Sequence, residues 1–258
     1  MKSKWQNVFD GIRSGEATTM YCIVFTPRSG STWLGDVLTR SKMLGIPKEW
    51  FNTEAAGETI RQSGCRDINQ YYEYLKCVKT TQQVFGMEIT WPQHRGVVEE
   101  SRSDYFLSDI PHWFYLRRRD YVAQGVSLFK AINSGVFHSV QTGKQAREVV
   151  YDGAEIENLV NRIMRQEYAW KGYFEGLDRT PHPLWYEDIV QTPPSRLVRD
   201  FAGKIDIDIA ENDPDTANIT PALKKIGDTD SENMCLRFRE DYANRISYWD
   251  EHRGTRSK

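Results

Sequence analysis

The residue types best suited to chemistry lie in one short polar turn, residues 26–33, which reads Thr-Pro-Arg-Ser-Gly-Ser-Thr-Trp. The apolar run 21–25 before it is too short for a helix, and the apolar positions after it recur at helical spacing. A strand, a turn and a helix in this order direct the unpaired N–H groups and the positive dipole end of the helix at the turn. We expect the turn to bind phosphate or sulfate, to which Arg28 adds a guanidinium suited to oxyanions.

The form of this turn distinguishes it from the loop of a nucleoside triphosphatase. That loop requires G-x-x-x-x-G-K-[ST], in which the Lys reaches the terminal phosphates and the Ser or Thr holds Mg²⁺. Here no Lys follows Gly30 and no Gly opens the turn. Ser31 and Thr32 are the expected caps of the following helix. On these residues alone, an ordinary strand-to-helix turn with a solvated Arg28 remains the alternative.

A second candidate is Glu49, which stands between Pro47 and the aromatic pair Trp50 and Phe51. Aromatic neighbours can desolvate a carboxylate, which is one way to tune a general acid or base. The alternative is a surface glutamate near a helix start, with both aromatic rings in the core.

A third candidate is the run of three arginines at 117–119, which follows the apolar residues 113–116 directly and precedes Asp120. An arginine at a strand end and a hydroxyl from the next helix, residues 121–130, can converge on one phosphate. A salt-bridged surface turn is the alternative.

The end of another predicted strand, residues 84–92, contributes further pocket candidates. Pro92 is expected to end this strand, and Thr90, Trp91 and His94 lie close to its carboxyl end, where open parallel sheets bind ligands. We interpret His94 first as a solvated loop residue.

The alternation of strands and helices along the chain predicts an α/β protein with a central parallel sheet flanked by helices. Strands are predicted at 21–25, 84–92 and 112–116, and a fourth strand with its exit at 183–190. Helices are predicted at 33–40, within 53–83, at 97–104, 121–130 and 154–175, after Pro193 and Pro194 through Phe201, and at 231–249. We expect a single domain over residues 1–258, with an N-terminal arm at 1–19 and insertions over the site at 53–83 and 131–153.

Composition excludes several classes of function. The chain has 258 residues, 27% of them charged, and a formal net charge of −2, which argues against a generic nucleic-acid binder. Its four cysteines lack C-x-x-C spacing, which disfavours a disulfide framework and a zinc site. Because no stretch has the length of a membrane span or the pattern of a signal peptide, we expect a cytoplasmic protein.

Five motifs together resemble the bacterial sulfotransferases that use 3′-phosphoadenosine 5′-phosphosulfate (PAPS), in particular the trehalose 2-sulfotransferase family. They are T-P-R-S-G-S-T-W-L, G-I-P-K-E-W-F, G-M-E-I-T-W, R-R-R-D-Y-V-A-Q-G-V-S-L-F and L-W-Y-E-D-I-V, spread over residues 20–250. The first and the fourth are the most specific. The resemblance implies a three-layer P-loop-like fold.

The resemblance also implies roles for individual residues. It assigns the 5′-phosphosulfate loop to Arg28, Ser29, Gly30, Ser31, Thr32 and Trp33. It assigns the 3′-phosphate to Arg118 and Ser127, with the arginine's register open by one residue and Gln124 sharing the work. Arg28 would also be catalytic, because it would stabilise charge on the leaving phosphate.

Glu49 matches the glutamate that the trehalose sulfotransferase family is thought to use as general base. Eukaryotic cytosolic sulfotransferases instead use a His in a K-x-H-x-P strand, where this chain has Thr90. The missing His makes Glu49 more necessary, with His94 as the other candidate. One departure concerns Glu88, which stands where related sequences have a Lys. Either its side chain points away from the donor or donor binding is altered.

The implied activity is transfer of a sulfuryl group from PAPS to a hydroxyl of a carbohydrate or another small metabolite, without a metal ion. No nucleic-acid partner and no membrane span are expected, and a homodimer is left open. Two other functions are considered: a P-loop kinase of small molecules, and a nucleotide-binding module without catalysis.

Overall fold

The computed structural model describes residues 17–103, 106–136, 149–211, 213–222 and 229–253. The elements in chain order are β1 (Thr19–Phe25), α1 (Ser31–Arg40), α2 (Gly57–Ser63), α3 (Ile68–Val78), β2 (Thr80–Thr81), β3 (Val84–Thr90), α4 (Trp91–Ser101), β4 (His112–Arg117), α5 (Tyr121–Ser134), α6 (Gly153–Gly176), β5 (His182–Trp185), α7 (Tyr186–Ile189), α8 (Pro194–Gly203), α9 (Pro214–Ala217), α10 (Thr229–Asp241) and α11 (Ala243–His252). Most of the predicted N-terminal arm, and most of the insertion predicted at 131–153, lie outside the described residues.

The five strands form one sheet in the order β2-β3-β1-β4-β5. β1 runs parallel to β3 and β4, β4 runs parallel to β5, and only the short β2 is antiparallel. The central β1 is fully buried from Tyr21 to Val24, as its uninterrupted apolar run predicts for a strand covered on both faces.

Side chains of β1 alternate between two packed layers. Ile23 and its same-face neighbours pack against α1 and α8, whereas Val24 and Cys22 face the layer that contains α3, α4 and α6. The sheet therefore lies between two helical layers, and the predicted α/β class is confirmed. Among the described residues, no helix is both long and apolar enough to cross a membrane.

The register of the sheet brings three strand ends to one place. Phe25, the last residue of β1, pairs with Thr90 at the end of β3 and with Leu116 near the end of β4. The turn 26–30, the start of α4 and the turn 118–120 therefore begin at the same edge of the sheet. This is the edge at which open parallel sheets bind ligands.

Four predicted boundaries were wrong. The strand predicted at 84–92 ends at Thr90, and the helix predicted from residue 97 begins at Trp91, because proline is tolerated in the first helical turn and Pro92 stands there. The strand predicted at 183–190 ends at Trp185, and a short helix follows. The helix predicted at 231–249 is divided into two at Tyr242.

Candidate active site

The turn after β1 is tightly bent at two residues. Gly30 has φ 93°, and a Cβ there would lie 2.5 Å from Cδ2 of Tyr186, so only glycine fits. Arg28 has φ 66°, a left-handed conformation that is strained for a residue with a side chain. Gly30 is also the N-cap of α1, so the prediction that Ser31 or Thr32 caps this helix was wrong. The helix start has no side-chain cap, which suits it to an anion.

The turn is supported from below by Gln124 of α5. This side chain is fully buried, and its Nε2 donates to Oγ1 of Thr26 and to the carbonyl oxygen of Pro27, both at 2.8 Å. Gln124 therefore holds the backbone of the turn. The fully buried Ser29 hydroxyl has no hydrogen-bond partner among the described residues. Ser31 is buried at the start of α1, Thr32 is exposed and Trp33 is half-buried.

The structure brings Arg28, Arg118 and Ser127 together, although they lie on three different elements. Nε of Arg28 donates to Oγ of Ser127 at 3.0 Å. Burial and the nearby charge of Arg118 lower the pKa of the Arg28 guanidinium. Nε of Arg118 is buried without an acceptor in the described part of the chain. Two neighbouring cations repel each other, and an anion between them would remove that cost.

Tyr186, the first residue after β5, joins the turn to this pair of arginines. Its ring packs against Gly30, and the guanidinium carbon of Arg118 lies 4.7 Å from the ring centre. The sequence reasoning did not single out Tyr186. Tyr186 lies directly after β5 at the ligand-binding edge, and predicting residues 183–190 as strand and exit hid this signal.

The other two arginines of the run have different surroundings. Arg117 stacks on the rings of Trp185, at 4.3 Å, and Tyr115, at 4.8 Å. Arg119 is exposed and makes two hydrogen bonds to the carboxylate of Asp188, at 2.6 and 2.8 Å. The alternative of a salt-bridged surface turn therefore holds for Arg119, whereas Arg118 is the arginine that lies beside Arg28.

Glu49 is carried to the same edge of the sheet by a segment that runs along the outside of β3. Gly45, with φ 71°, lies so close to β3 that a Cβ would be 2.6 Å from the carbonyl oxygen of Val84. Further along, the backbone N–H of Glu88 donates to the carbonyl oxygen of Lys48 at 2.9 Å. The chain then enters the core at Trp50, which is 5% exposed, while Glu49 stays half-buried at the rim.

Two side-chain amides hold the Glu49 carboxylate. Nε2 of Gln93 donates to Oε2 at 2.6 Å, and Nδ2 of Asn52 donates to the same oxygen at 3.0 Å. Both donors reach the same oxygen of the carboxylate, and Oε1 accepts no hydrogen bond from the described residues.

A family model described as Stf0 sulphotransferase matches residues 20–241. The chain belongs to this sulfotransferase family. It is 22% identical over 262 residues to the trehalose 2-sulfotransferase of Mycolicibacterium smegmatis, over 86% of this chain and 95% of that protein. It is 25% identical over 202 residues to the trehalose 2-sulfotransferase of Mycobacterium tuberculosis, over 63% of this chain and 76% of that protein. The resemblance inferred from the motifs is confirmed.

Solved sulfotransferase structures are similar to the chain at lower identity. The sulfotransferase domain from the curacin biosynthetic pathway is 14% identical, with a TM-score of 0.48 over 83% of this chain and 81% of that one. A sulfotransferase from Alicyclobacillus acidocaldarius is 13% identical, with a TM-score of 0.48 over 88% of this chain and 94% of that one. These scores add no weight to the family assignment, which rests on the family match.

The sulfotransferase buries Glu88, which the motif comparison predicts to stand in place of a Lys. Its side chain is directed at α1, where a Cβ on Gly35 would lie 2.7 Å from Oε1, and this oxygen has no partner among the described residues. Burial, and then the charge of Glu49, raise the pKa of the Glu88 carboxyl well above its usual range. The placement favours a side chain packed against the middle of α1 as an uncharged acid.

His94 of the sulfotransferase is a core residue, so its interpretation as a solvated loop residue was wrong. It lies in the first turns of α4, is 3% exposed and contacts the rings of Trp91, Trp170 and Tyr173. Burial, and then the charge of Arg95, lower its pKa to about 4. A base must reach its substrate, and an enclosed ring does not, which leaves Glu49 as the better-placed candidate.

Arg253, after α11, fixes the backbone of the turn that carries Arg118. Its guanidinium donates to the carbonyl oxygens of Arg118 and Arg119 at 2.5 and 2.8 Å, and to both oxygens of Glu167 at 2.8 Å. The two side chains of this ion pair are 3% and 7% exposed. No local pattern indicates this contact, because the partners are far apart in the sequence.

Proposed function

We propose that this sulfotransferase uses PAPS as its donor and a hydroxyl group of a carbohydrate as its acceptor. The observation that carries the proposal is the meeting of Arg28, Arg118 and Ser127 beside the uncapped start of α1. PAPS carries phosphate at two positions of its ribose, and the site offers two separate groups suited to anions. The carbohydrate acceptor is suggested by the trehalose 2-sulfotransferases to which the chain is similar.

The residues present fit the donor at both of its charged ends. The N–H groups of the first turn of α1 would bind the 5′-phosphosulfate, together with the buried Ser29 hydroxyl, which has no hydrogen-bond partner in the described part of the chain. Arg118 and Ser127 would bind the 3′-phosphate, and Arg28, hydrogen-bonded to Ser127, would lie between the two ends. Gln124 would act beneath the turn by holding its backbone, rather than on the phosphate itself.

Glu49 would serve as the general base. Bound PAPS supplies a sulfuryl group attached to a good leaving group, adenosine 3′,5′-bisphosphate. Oε1 of Glu49 would take the proton of the acceptor hydroxyl as its oxygen bonds to sulfur and the bond from sulfur to the phosphate oxygen breaks. Arg28 and the backbone N–H groups of the turn would stabilise the charge that develops on that phosphate oxygen.

Two measurements test this function. Titration calorimetry should show tighter binding of adenosine 3′,5′-bisphosphate than of ATP with Mg²⁺. The reverse order would refute the donor and favour a small-molecule kinase. Label from [³⁵S]PAPS should then appear on at least one sugar of a panel that includes trehalose. Binding of the nucleotide with no transfer to any hydroxyl compound would favour a nucleotide-binding module without catalysis.

A further inference from the structure

Gln93 links the Glu49 carboxylate to the start of α4. It is the third residue of that helix and forms a capping box with Thr90, in which Oε1 of Gln93 accepts the backbone N–H of Thr90 at 2.9 Å. The oxygen end of the amide is therefore held at the helix start. Its other end, Nε2, must then face away from the cap, and there it donates to Oε2 of Glu49 at 2.6 Å.

The orientation of this amide is determined by its partners. If the amide were flipped, Nε2 would face the Thr90 N–H, donor against donor, and Oε1 would face the Glu49 carboxylate, acceptor against acceptor. Both hydrogen bonds would be lost. Gln93 can therefore form both hydrogen bonds only in the orientation that places its N–H₂ group against Glu49.

Asn52 repeats the same arrangement from the other side. Its Oδ1 accepts the backbone N–H groups of Glu54 and Ala55 at 3.1 and 3.2 Å, which fixes the oxygen end of that amide. Its Nδ2 donates to Oε2 of Glu49 at 3.0 Å. Two amides, each locked by backbone N–H groups, thus direct their donors at a single carboxylate oxygen.

The sheet register connects this arrangement to the turn 26–30. Thr90 pairs with Phe25, and Phe25 is followed directly by the turn 26–30. The capping box therefore fixes the Glu49 carboxylate relative to the end of β1, from which the turn 26–30 begins. Glu49 is only half-buried, so the packing of the core does not require its carboxylate to be hydrogen-bonded to a helix cap.

We propose that Gln93 is a positioning residue of the sulfotransferase, with Asn52 as its partner. Together they hold Oε2 so that Oε1 presents one lone pair to the acceptor hydroxyl. The inference rests on the proposed role of Glu49 as general base. It adds how the Glu49 carboxylate is oriented toward the acceptor hydroxyl.

The deciding variant is Gln93→Glu, because a capping box accepts Glu or Gln at this position. The substituted carboxylate keeps an oxygen for the Thr90 N–H but replaces the donor to Glu49 with a second acceptor. We expect kcat to fall on the order of 10²-fold, as for a misplaced catalytic group. The dissociation constant for adenosine 3′,5′-bisphosphate should stay close to that of the unmodified protein, whereas the thermal midpoint should fall, because two carboxylates then face each other.

A matched control is Gln70→Glu. Gln70 is likewise the third residue of a helix, α3, and its Oε1 accepts the backbone N–H of Arg66 at 3.2 Å. It is exposed, and among the described hydrogen bonds none joins it to Glu49. Its kcat should be unchanged. Equal kcat values for Gln93→Glu and Gln70→Glu would overturn the positioning role.

Two further variants keep the result interpretable. Asn52→Asp retains the oxygen for Glu54 and Ala55 and replaces the donor to Glu49 with a second carboxylate oxygen. Asn52→Asp should lower kcat without changing the affinity for adenosine 3′,5′-bisphosphate. If Gln93→Glu fails to fold, the kcat of Asn52→Asp tests the positioning role.

Glu49→Gln should lose about 10²–10⁴-fold in rate. If Glu49→Gln retains full rate, the base assignment fails and the inference with it. If Glu49→Gln loses rate but both amide variants do not, only the inference fails.

Discussion

Removing the guanidinium of Arg253 should destabilise the protein. Arg253→Met keeps much of the apolar stem but deletes two hydrogen bonds to Glu167 and two to the carbonyl oxygens of Arg118 and Arg119. Glu167 would remain as a carboxylate whose side chain is 7% exposed. Solvent screens this pair little, because the Arg253 side chain is only 3% exposed. Breaking one side of a buried ion pair costs about 3–5 kcal/mol, and we expect a loss of that size in the free energy of unfolding.

Urea unfolding measures this loss directly, and a second substitution tests its cause. Arg253→Met with Glu167→Gln leaves no uncompensated charge and should recover a large part of the loss. Arg239→Met is a matched control, because Arg239 pairs with Asp120 of the same turn while both side chains are about 40% exposed. It should cost less than about 1 kcal/mol. A similarly small loss for Arg253→Met would refute the reasoning.

The same variant should also weaken recognition of the 3′-phosphate. Arg253 holds the carbonyl oxygen of Arg118, so its loss frees the backbone from which the Arg118 side chain extends. Calorimetry of Arg253→Met should show a larger loss of affinity for adenosine 3′,5′-bisphosphate than for adenosine 5′-monophosphate. Equal losses for the two nucleotides would contradict a link between Arg253 and Arg118.

Three further predictions follow from charges at or near the site. Arg118→Ala should weaken binding of adenosine 3′,5′-bisphosphate but leave adenosine 5′-monophosphate almost unaffected, as measured by calorimetry. Burial and the charge of Glu49 raise the pKa of Glu88, so the folded state favours the protonated acid and stability falls as pH rises above about 4.3. Glu88→Gln should therefore raise the thermal midpoint at pH 8 more than at pH 4.5, and an equal shift at both would contradict this. Burial lowers the pKa of His94 to about 4, so stability should fall by up to about 3 kcal/mol as pH drops from about 6.5 to 4. In His94→Phe that part of the pH dependence should vanish from urea unfolding curves.

The sheet and the turn 26–30 could be predicted because their signals are local. The apolar run of β1 and the helical spacing after it specify a strand and a helix with the turn 26–30 between them. The capping box of Thr90 and Gln93 was also readable, as a Thr followed three residues later by a Gln, although it was not singled out. Predicting a strand through Pro92 hid this signal.

Other parts of the site depend on contacts that no local pattern contains. Which arginine of the run 117–119 faces Arg28 is set by the alternation of side chains along β4 and by the order of the strands. Arg253 reaches Arg118 from 135 residues away in the sequence. His94, predicted as a loop residue, is a core residue because α6 packs over it with Trp170 and Tyr173.

The sequence by itself determined the α/β class, the turn between β1 and α1 and the residue types from which the candidate site is built. These follow from hydrophobic periodicity and from the turn chemistry of Pro and Gly, which act over a few residues. Only the tertiary structure decided that Arg28 meets Ser127 across 99 residues, that Glu49 is held by Gln93 across 44, and that Glu88 is buried against α1. The physical reason is that hydrogen bonds and burial depend on strand order and register, which are set by the packing of the whole sheet.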